Sequence, residues 1–186
     1  MRQSDKGSRP TAKRKLLPFE QGGLDSLCGI YSLVNAERLI NNTTVDDSRK
    51  LFKSIVEYMD KKKQLSSILI EGMLLKNIKK ILTDIIGELI PYQKLPFAGV
   101  ANPDLDVFWD EMKSFLDGSP KRAVLLSMSG VYDHWTVVNQ ITEKQLQLLD
   151  SYSLHLLNRT NCTTGEARRP RHHVFYPAQT YFLGRL

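Results

Sequence analysis

The spacing of apolar residues changes once along this chain, from helical to strand-like, near residue 120. Before that point apolar residues recur every three or four positions, as on the buried face of an amphipathic helix. Capping and stop residues divide this part of the chain into four predicted helices. The first starts at Cys28 behind Asp25-Ser26 and stops at Asn41-Asn42, the second starts at Asp46, the third covers about 71–86, and the fourth runs from Asn102-Pro103 to Asp117.

After residue 120 short apolar runs replace the helical pattern, and each has the length of a strand. We predict strands over 134–141 and 145–149, and the short polar connection between them favours an antiparallel hairpin. Helices that come before the strands, rather than alternating with them, indicate an α+β fold. The other predicted elements are a strand over 123–128, a last strand pair over 174–176 and 180–183, and a turn or short strand over 91–96.

The size and composition of the chain are those of one globular domain. Its 186 residues suffice for a core, and its 41% hydrophobic and 25% charged residues are ordinary values. It has no apolar run near the ~18 residues needed to span a bilayer, and no N-terminal segment typical of a signal peptide. Its two cysteines, Cys28 in a helix and Cys162 in a polar loop, are expected to be reduced. We therefore expect a cytoplasmic protein, with export by another route left open.

Most of the net positive charge lies at the N-terminus. Six Lys or Arg residues against one Asp give residues 1–16 a net charge of +5, out of +6 for the whole chain. A basic segment with few apolar residues is predicted to be disordered, which makes 17–186 the folded domain. This tail could hold an anionic partner such as nucleic acid, or it could be a solvated segment without a partner. The basic run 168–173 could bind an acidic substrate or a phosphate, or it could be a solvated loop.

Cys28 is the candidate nucleophile. It opens the first predicted helix behind the turn Gln21-Gly22-Gly23, and a helix N-terminus carries free N–H groups and partial positive charge. Both favour the thiolate, which is the reactive form of cysteine. The alternative is a structural cysteine, because cysteine packs in cores like a small hydrophobic residue. Gln21 is the candidate oxyanion donor, through its side-chain amide and together with the backbone N–H of Cys28.

His134 and Asp150 are the candidates for the general base and for the residue that orients it. His134 opens a predicted strand and Asp150 ends the strand that pairs with it, so the hairpin brings the two together. A carboxylate there would fix the imidazole tautomer and stabilise the imidazolium. Asp133 is an adjacent rival to Asp150, although neighbours on a strand point to opposite faces. His134 alone could equally be a surface histidine, and its rivals are His155, His172 and His173.

These residues resemble the active-site motifs of papain-fold cysteine peptidases, and they are most similar to the bacteriocin-leader-processing peptidase-like group. The matching positions are Gln21, Cys28-Gly29 at a helix start, His134 before an apolar strand, and Asp150 after the next strand. The resemblance spans residues 19–152, and its specific part is two short motifs. Two departures are that Gln21 stands one residue further from the cysteine than is usual, and that Leu27 replaces the common Asp or Ser. The resemblance implies a papain-like α+β fold, with the nucleophile helix packed on a C-terminal antiparallel sheet.

The resemblance also implies a function. The implied function is that of a thiol hydrolase, which cleaves a peptide or isopeptide bond through an acyl-enzyme. Its substrate would be a protein or a peptide, and no cofactor is expected. A transglutaminase or glutamine deamidase uses the same kinds of residue on a side-chain amide and is the alternative. A non-enzymatic module that binds nucleic acid or another partner through the basic tail is the third hypothesis. The cysteines and histidines do not show the spacing of zinc ligands, so no metal is expected.

Overall fold

Helices occupy the first part of the chain and strands the second part, which confirms the predicted α+β class. The computed structural model describes residues 16–101 and 103–185. The predicted tail therefore lies outside the described residues, except for Leu16, which packs against the core. The α-helices are α1 (Cys28–Asn41), α2 (Val45–Lys61), α3 (Leu65–Glu71), α4 (Leu75–Ile81), which continues as a π-helix over Leu82–Ile86, and α5 (Leu105–Asp117). The strands are β1 (Tyr92–Lys94), β2 (Arg122–Ser129), β3 (His134–Ile141), β4 (Gln145–Leu148), β5 (Leu156–Asn158), β6 (Cys162–Thr163), β7 (His173–Phe175) and β8 (Tyr181–Gly184).

The described strands form one sheet, with β2 near its centre. The order along the sheet is β1-β8-β2-β3-β4-β5 with antiparallel neighbours, while β7 pairs with the end of β2 and β6 pairs with β7 in parallel. The predicted hairpin of β3 and β4 is present, with Val138 opposite Leu148 and a bulge between Val138 and Gln140. The hairpin places the start of β3 beside the segment that follows β4.

The last two predicted strands do not pair with each other, which corrects the sequence prediction. Both run antiparallel to β2, with Phe182 of β8 opposite Val124 and Phe175 of β7 opposite Met128. A 3-10 turn over Pro177–Gln179 separates them, and a proline has no N–H with which to continue a strand. The chain therefore passes along β2 as one interrupted strand instead of turning back as a hairpin.

Apolar side chains cover both faces of the sheet. Successive residues of β2 enter two different clusters, since Leu125 joins the cluster that contains α1 and Leu126 joins the one that contains α5. This strand period of two explains why 123–128 is an uninterrupted apolar run in the sequence. Helix α1 is also fixed to β3 by a hydrogen bond of 2.7 Å from the Ser32 hydroxyl to the Trp135 carbonyl. The helix that opens at Cys28 is thus held against the strand in which the candidate histidine lies.

Two helix boundaries differ from the prediction. The helix predicted over 71–86 starts only at Leu75, because Gly72 has a φ of 82° that ends the preceding helix α3. Helix α3 itself is missed, since its seven residues are too few to show a clear helical period. Helix α5 begins at Leu105 rather than at Pro103, because the Asp104 side chain accepts a backbone hydrogen bond of 2.7 Å and caps it.

Cys162 is buried in the core and does not lie in a polar loop, which corrects a second prediction. It is part of β6, and its thiol donates a hydrogen bond of 3.2 Å to the Asn158 carbonyl. Burial raises the pKa of Cys162 to about 12, so this thiol is not a nucleophile near neutral pH. Strands β5 and β6 have three and two residues and give no periodic signal among their polar neighbours. Both cysteines are free thiols.

We expect Gly130→Ala to destabilise the fold more than Gly99→Ala. Both glycines have a positive φ, 102° and 77°, which costs a residue with a side chain roughly 1–3 kcal/mol. An alanine Cβ at position 130 would also clash with the His172 carbonyl oxygen, whereas at position 99 it would meet no described atom within 4 Å. Urea unfolding of the two variants measures the difference. Equal losses of free energy would contradict the close backbone approach at Gly130.

Candidate active site

Cys28 is the first residue of α1, at the helix end that carries free N–H groups. The cap position is Leu27 and not the predicted Asp25-Ser26; no described side chain caps the helix from there, and its first turn holds no acidic residue. Asp25 instead folds the preceding turn, because its carboxylate accepts hydrogen bonds from the N–H groups of Gly22 and Leu27 at 2.9 and 3.1 Å. The partial positive charge at the start of α1 is therefore not neutralised by a carboxylate within its first turn.

His134 connects the other two candidate residues. It is the first residue of β3, and its Nε2 atom lies 2.6 Å from Oδ2 of Asp150. The Cys28 side chain lies close enough to the same ring to contribute to raising its pKa. The structure thus brings Cys28, His134 and Asp150 together in the order in which a proton would move away from sulfur.

Asp150 is fully buried and held by backbone donors. Its other carboxylate oxygen accepts hydrogen bonds from the N–H groups of Tyr152 and Leu154 at 2.7 and 3.1 Å. Burial by itself favours the neutral acid, but the contacts with His134 and the backbone outweigh it and lower the pKa of Asp150. The buried Thr136 hydroxyl, which has no hydrogen bond of ordinary geometry to a described residue, lies close enough to add to this effect. Asp150 is therefore a carboxylate at neutral pH.

The surroundings of His134 favour its protonated form. Burial opposes protonation, since it removes water from the imidazolium, but the hydrogen bond and the negative charge of Asp150, together with the nearby Cys28, prevail. Together they raise the pKa of His134 from 6.5 to about 9. This balance favours the imidazolium form of His134.

The rival residues do not occupy this position. Asp133 is exposed, and the carboxylate that contacts the His134 ring belongs to Asp150. Of the described histidines, His134 alone hydrogen-bonds to that carboxylate. The three rivals lie elsewhere, with His155 and His172 exposed and His173 buried in β7, where it pairs with β6.

Gln21 lines the same cleft as His134 and Asp150. Its N–H donates to the Ser151 carbonyl at 2.9 Å, and its side-chain oxygen accepts from the Ser151 hydroxyl at 3.4 Å. These contacts leave the side-chain NH2 group as the donor for a ligand. The cleft has a volume of about 380 Å3 and is lined by Gln21, 132–134, Asp150 and 152–154. A larger cleft of about 650 Å3 beside β7 holds none of the four candidate residues, whereas the smaller one is lined by three of them. Cys28 itself is buried and is not among the residues that line the smaller cleft.

Polar residues of α1 support the site and were not predicted. Besides the contact of Ser32 with β3, Asn35 exchanges two hydrogen bonds with the Phe19 backbone, at 2.8 and 3.0 Å. This pair ties the N-terminal segment that leads to the cleft onto the helix that begins at Cys28. Cys28, Ser32 and Asn35 are spaced by four and three residues along α1 and so share one helix face. The sequence signal for these two residues was a row of polar positions on the same helix face as Cys28.

Two kinds of feature are absent from residues 16–101 and 103–185. Within these ranges no three or more His, Cys, Asp or Glu side chains are grouped so that they could hold a metal ion. No helix there combines the length and the apolar character that a membrane span requires.

Comparisons with known proteins do not place this chain in a family. No family model, no curated protein and no solved structure gives a significant match. The functional argument therefore depends on the geometry of the site.

We expect the stability of the protein to fall as the pH rises from about 6.5 to about 9. A histidine whose pKa is higher in the folded state stabilises the fold below its unfolded pKa and loses that contribution as the pH passes the folded value. The rise for His134 from 6.5 to about 9 corresponds to at most about 3 kcal/mol. Chemical unfolding across this pH range measures the slope.

The exposed His155 provides the matched control for this measurement. His134→Gln should remove the slope and His155→Gln should keep it, and a slope that survives His134→Gln would mean that another group is responsible. At acid pH the stability depends on Asp150, whose pKa is lowered in the folded state. Its carboxylate stabilises the fold at pH values above the unfolded pKa, and this stability is lost as the pH falls through the folded pKa. Asp150→Asn should therefore flatten the acid limb.

Proposed function

We propose that this protein is a thiol hydrolase that cleaves a peptide or isopeptide bond through an acyl-enzyme on Cys28. One observation carries the proposal: the His134 ring is hydrogen-bonded to the buried Asp150 carboxylate, with Nε2 and Oδ2 2.6 Å apart, and lies close enough to Cys28 for the two side chains to interact. A cysteine that only filled the core would need neither a histidine nor a buried carboxylate in line with it.

The proposed mechanism begins with acylation. The Cys28 sulfur attacks the substrate carbonyl carbon after its proton has moved to His134. The imidazolium then gives this proton to the leaving amine, so the C–N bond breaks and a thioester remains on the sulfur. Asp150 stays ionised throughout, orients the ring and stabilises the imidazolium.

Water completes the proposed cycle. Neutral His134 takes a proton from a water molecule as its oxygen attacks the thioester, and the same proton returns to sulfur when the acid leaves. In both steps negative charge develops on the carbonyl oxygen. The backbone N–H of Cys28 and the NH2 group of Gln21 are the proposed donors to this oxygen. The uncapped start of α1 and the position of Gln21 in the cleft support this assignment.

We also propose that the α+β architecture is papain-like. A helix that begins with the cysteine packs against a largely antiparallel sheet, the histidine opens one strand, and the aspartate follows the next. This arrangement supports the resemblance to the bacteriocin-leader-processing peptidase-like group. The two free thiols support a reducing compartment such as the cytoplasm. Binding of an anionic partner by residues 1–16 stays a prediction on residues outside the described part of the chain, apart from Leu16.

Iodoacetamide labelling tests whether Cys28 is a nucleophile. We expect Cys28 to react more than about a hundredfold faster than Cys162 near neutral pH, because the pKa of Cys162 is raised to about 12 and its thiol stays protonated. His134→Ala should slow the labelling of Cys28, since it removes the partner of the thiolate. Mass spectrometry of the labelled peptides gives both rates in one sample, so Cys162 is the internal control. A Cys28 rate no greater than that of a free model thiol would contradict the proposal.

A peptide library in water enriched in a heavy oxygen isotope tests the reaction itself. Cleavage creates new termini and puts the heavy oxygen into the new carboxyl group, and we expect this with the wild type but not with Cys28→Ala or His134→Ala. Asp150→Ala should retain more activity, because an orienting residue costs less to remove than the nucleophile. Glutamine side chains that change without chain cleavage would favour the deamidase, and amine incorporation would favour the transglutaminase. Full activity in His134→Ala would overturn the mechanism.

Gln21→Ala tests the oxyanion assignment. Loss of one donor to a developing oxyanion typically lowers kcat by about a hundred- to a thousandfold with little effect on KM. The control is Gln93→Ala, because the Gln93 amide is bonded to the backbone at Leu82 and Ile90, outside the cleft. A change confined to KM in Gln21→Ala would show that Gln21 binds substrate without stabilising the transition state.

A further inference from the structure

Four segments of the chain surround the pair of Cys28 and His134, and we call them the rim. The turn 20–26 precedes the cysteine, the loop 130–133 leads into the histidine, and the segment 151–154 follows the aspartate. The fourth segment, 69–74, lies alongside the turn, because Ser26 donates its N–H to the Leu69 carbonyl at 3.1 Å and its hydroxyl to the Ile70 carbonyl at 3.2 Å.

The rim exposes large apolar side chains in all four of its segments. On the side of the turn, Leu24 is fully exposed, and Ile70 and Leu74 are 79% and 62% exposed. On the side of the histidine, Tyr132 and Tyr152 line the cleft with their ring centres 6.5 Å apart. A cluster of apolar side chains left in water marks a surface that a partner covers.

The rim is also acidic in a chain that is basic overall. Its charged residues are Glu20, Asp25, Glu71 and Asp133, and it contains no Lys or Arg, although the chain has 26 Lys and Arg residues against 20 Asp and Glu. Three of these carboxylates are exposed, and Asp133 lies in the cleft itself. The rim therefore attracts a cation that approaches the thiol and repels an anion.

We propose that the substrate of this site is a polypeptide segment that carries both large apolar and basic side chains beside the bond that is cleaved. The proposal rests on the hydrolase function above and specifies its substrate. A polypeptide fits because the exposed apolar residues are divided among the segments that precede Cys28, lead into His134 and follow Asp150, so a ligand that covers them all has to be extended. Basic residues fit because the carboxylates of the rim have no cation of the rim to pair with.

Binding of labelled peptides to the Cys28→Ser protein tests this proposal by fluorescence anisotropy. Three peptides of equal length are compared, one apolar with arginines, one apolar with glutamates, and one with arginines but with serines in place of the apolar residues. We expect the first to bind about tenfold more tightly than each of the others at low ionic strength. The preference for arginine should shrink as salt is added, because it arises between exposed charges.

Two variants of the rim have matched controls on α5. Asp133→Asn should reduce the preference for arginine over glutamate about two- to threefold, while Glu111→Gln, at an exposed carboxylate far along the chain, should not. Ile70→Ser should reduce the preference for apolar peptides, while Val107→Ser, which is 55% exposed, should not. All four positions are exposed, so these substitutions leave the core intact.

Equal affinities for the three peptides, or tighter binding of the glutamate peptide, would overturn the proposal. Because Cys28→Ser needs no reactive thiol, this outcome is separate from the fate of the hydrolase. A reactive Cys28 together with no peptide preference would overturn the substrate proposal alone. An unreactive Cys28 together with the expected preference would overturn the hydrolase and retain the rim as a site for cationic apolar peptides.

Discussion

The buried carboxylate of Asp150 is the group on which the rest of the site depends. A charge without contact to water is stable only when hydrogen bonds replace the lost solvation, and here they come from His134 and from two backbone N–H groups of the following loop. The carboxylate thus fixes the ring and the loop at once. The same loop holds Ser151, which binds both the backbone and the side chain of Gln21. One buried charge therefore positions parts of the site that are 130 residues apart.

The meeting of His134 and Asp150 could be predicted because it follows from one local element. A hairpin brings the start of its first strand beside the end of its second, whatever the rest of the sheet does. The place of Cys28 at a helix start could likewise be read from the turn before it. That the helix packs where its thiol meets the histidine is a long-range fact. It depends on contacts such as Ser32 with Trp135, which the sequence places 103 residues apart, and no local pattern encodes it.

Two of the predictions that were wrong, on the pairing of the last strands and on Cys162, concern features that are not local. Whether β7 and β8 pair with each other or with β2 depends on which strand edge is free in the folded sheet. Cys162 looked exposed because its neighbours in sequence are polar, yet they are not its neighbours in space. Ser32 and Asn35 were missed for the opposite reason, since an apolar pattern treats polar helix residues as solvent-exposed.

Strand β8 lies between β1 and β2, although it is made after every candidate residue of the site. A nascent chain in which Asp150 has just emerged from the ribosome already contains the thiol, the imidazole and the carboxylate. One edge of β2 nevertheless stays open until residues 181–184 have been translated and paired. Sheets that close through such distant pairing form late. The apolar cluster that contains Cys28 includes Tyr181 and Leu183 of β8, so it is complete only after these residues have been translated.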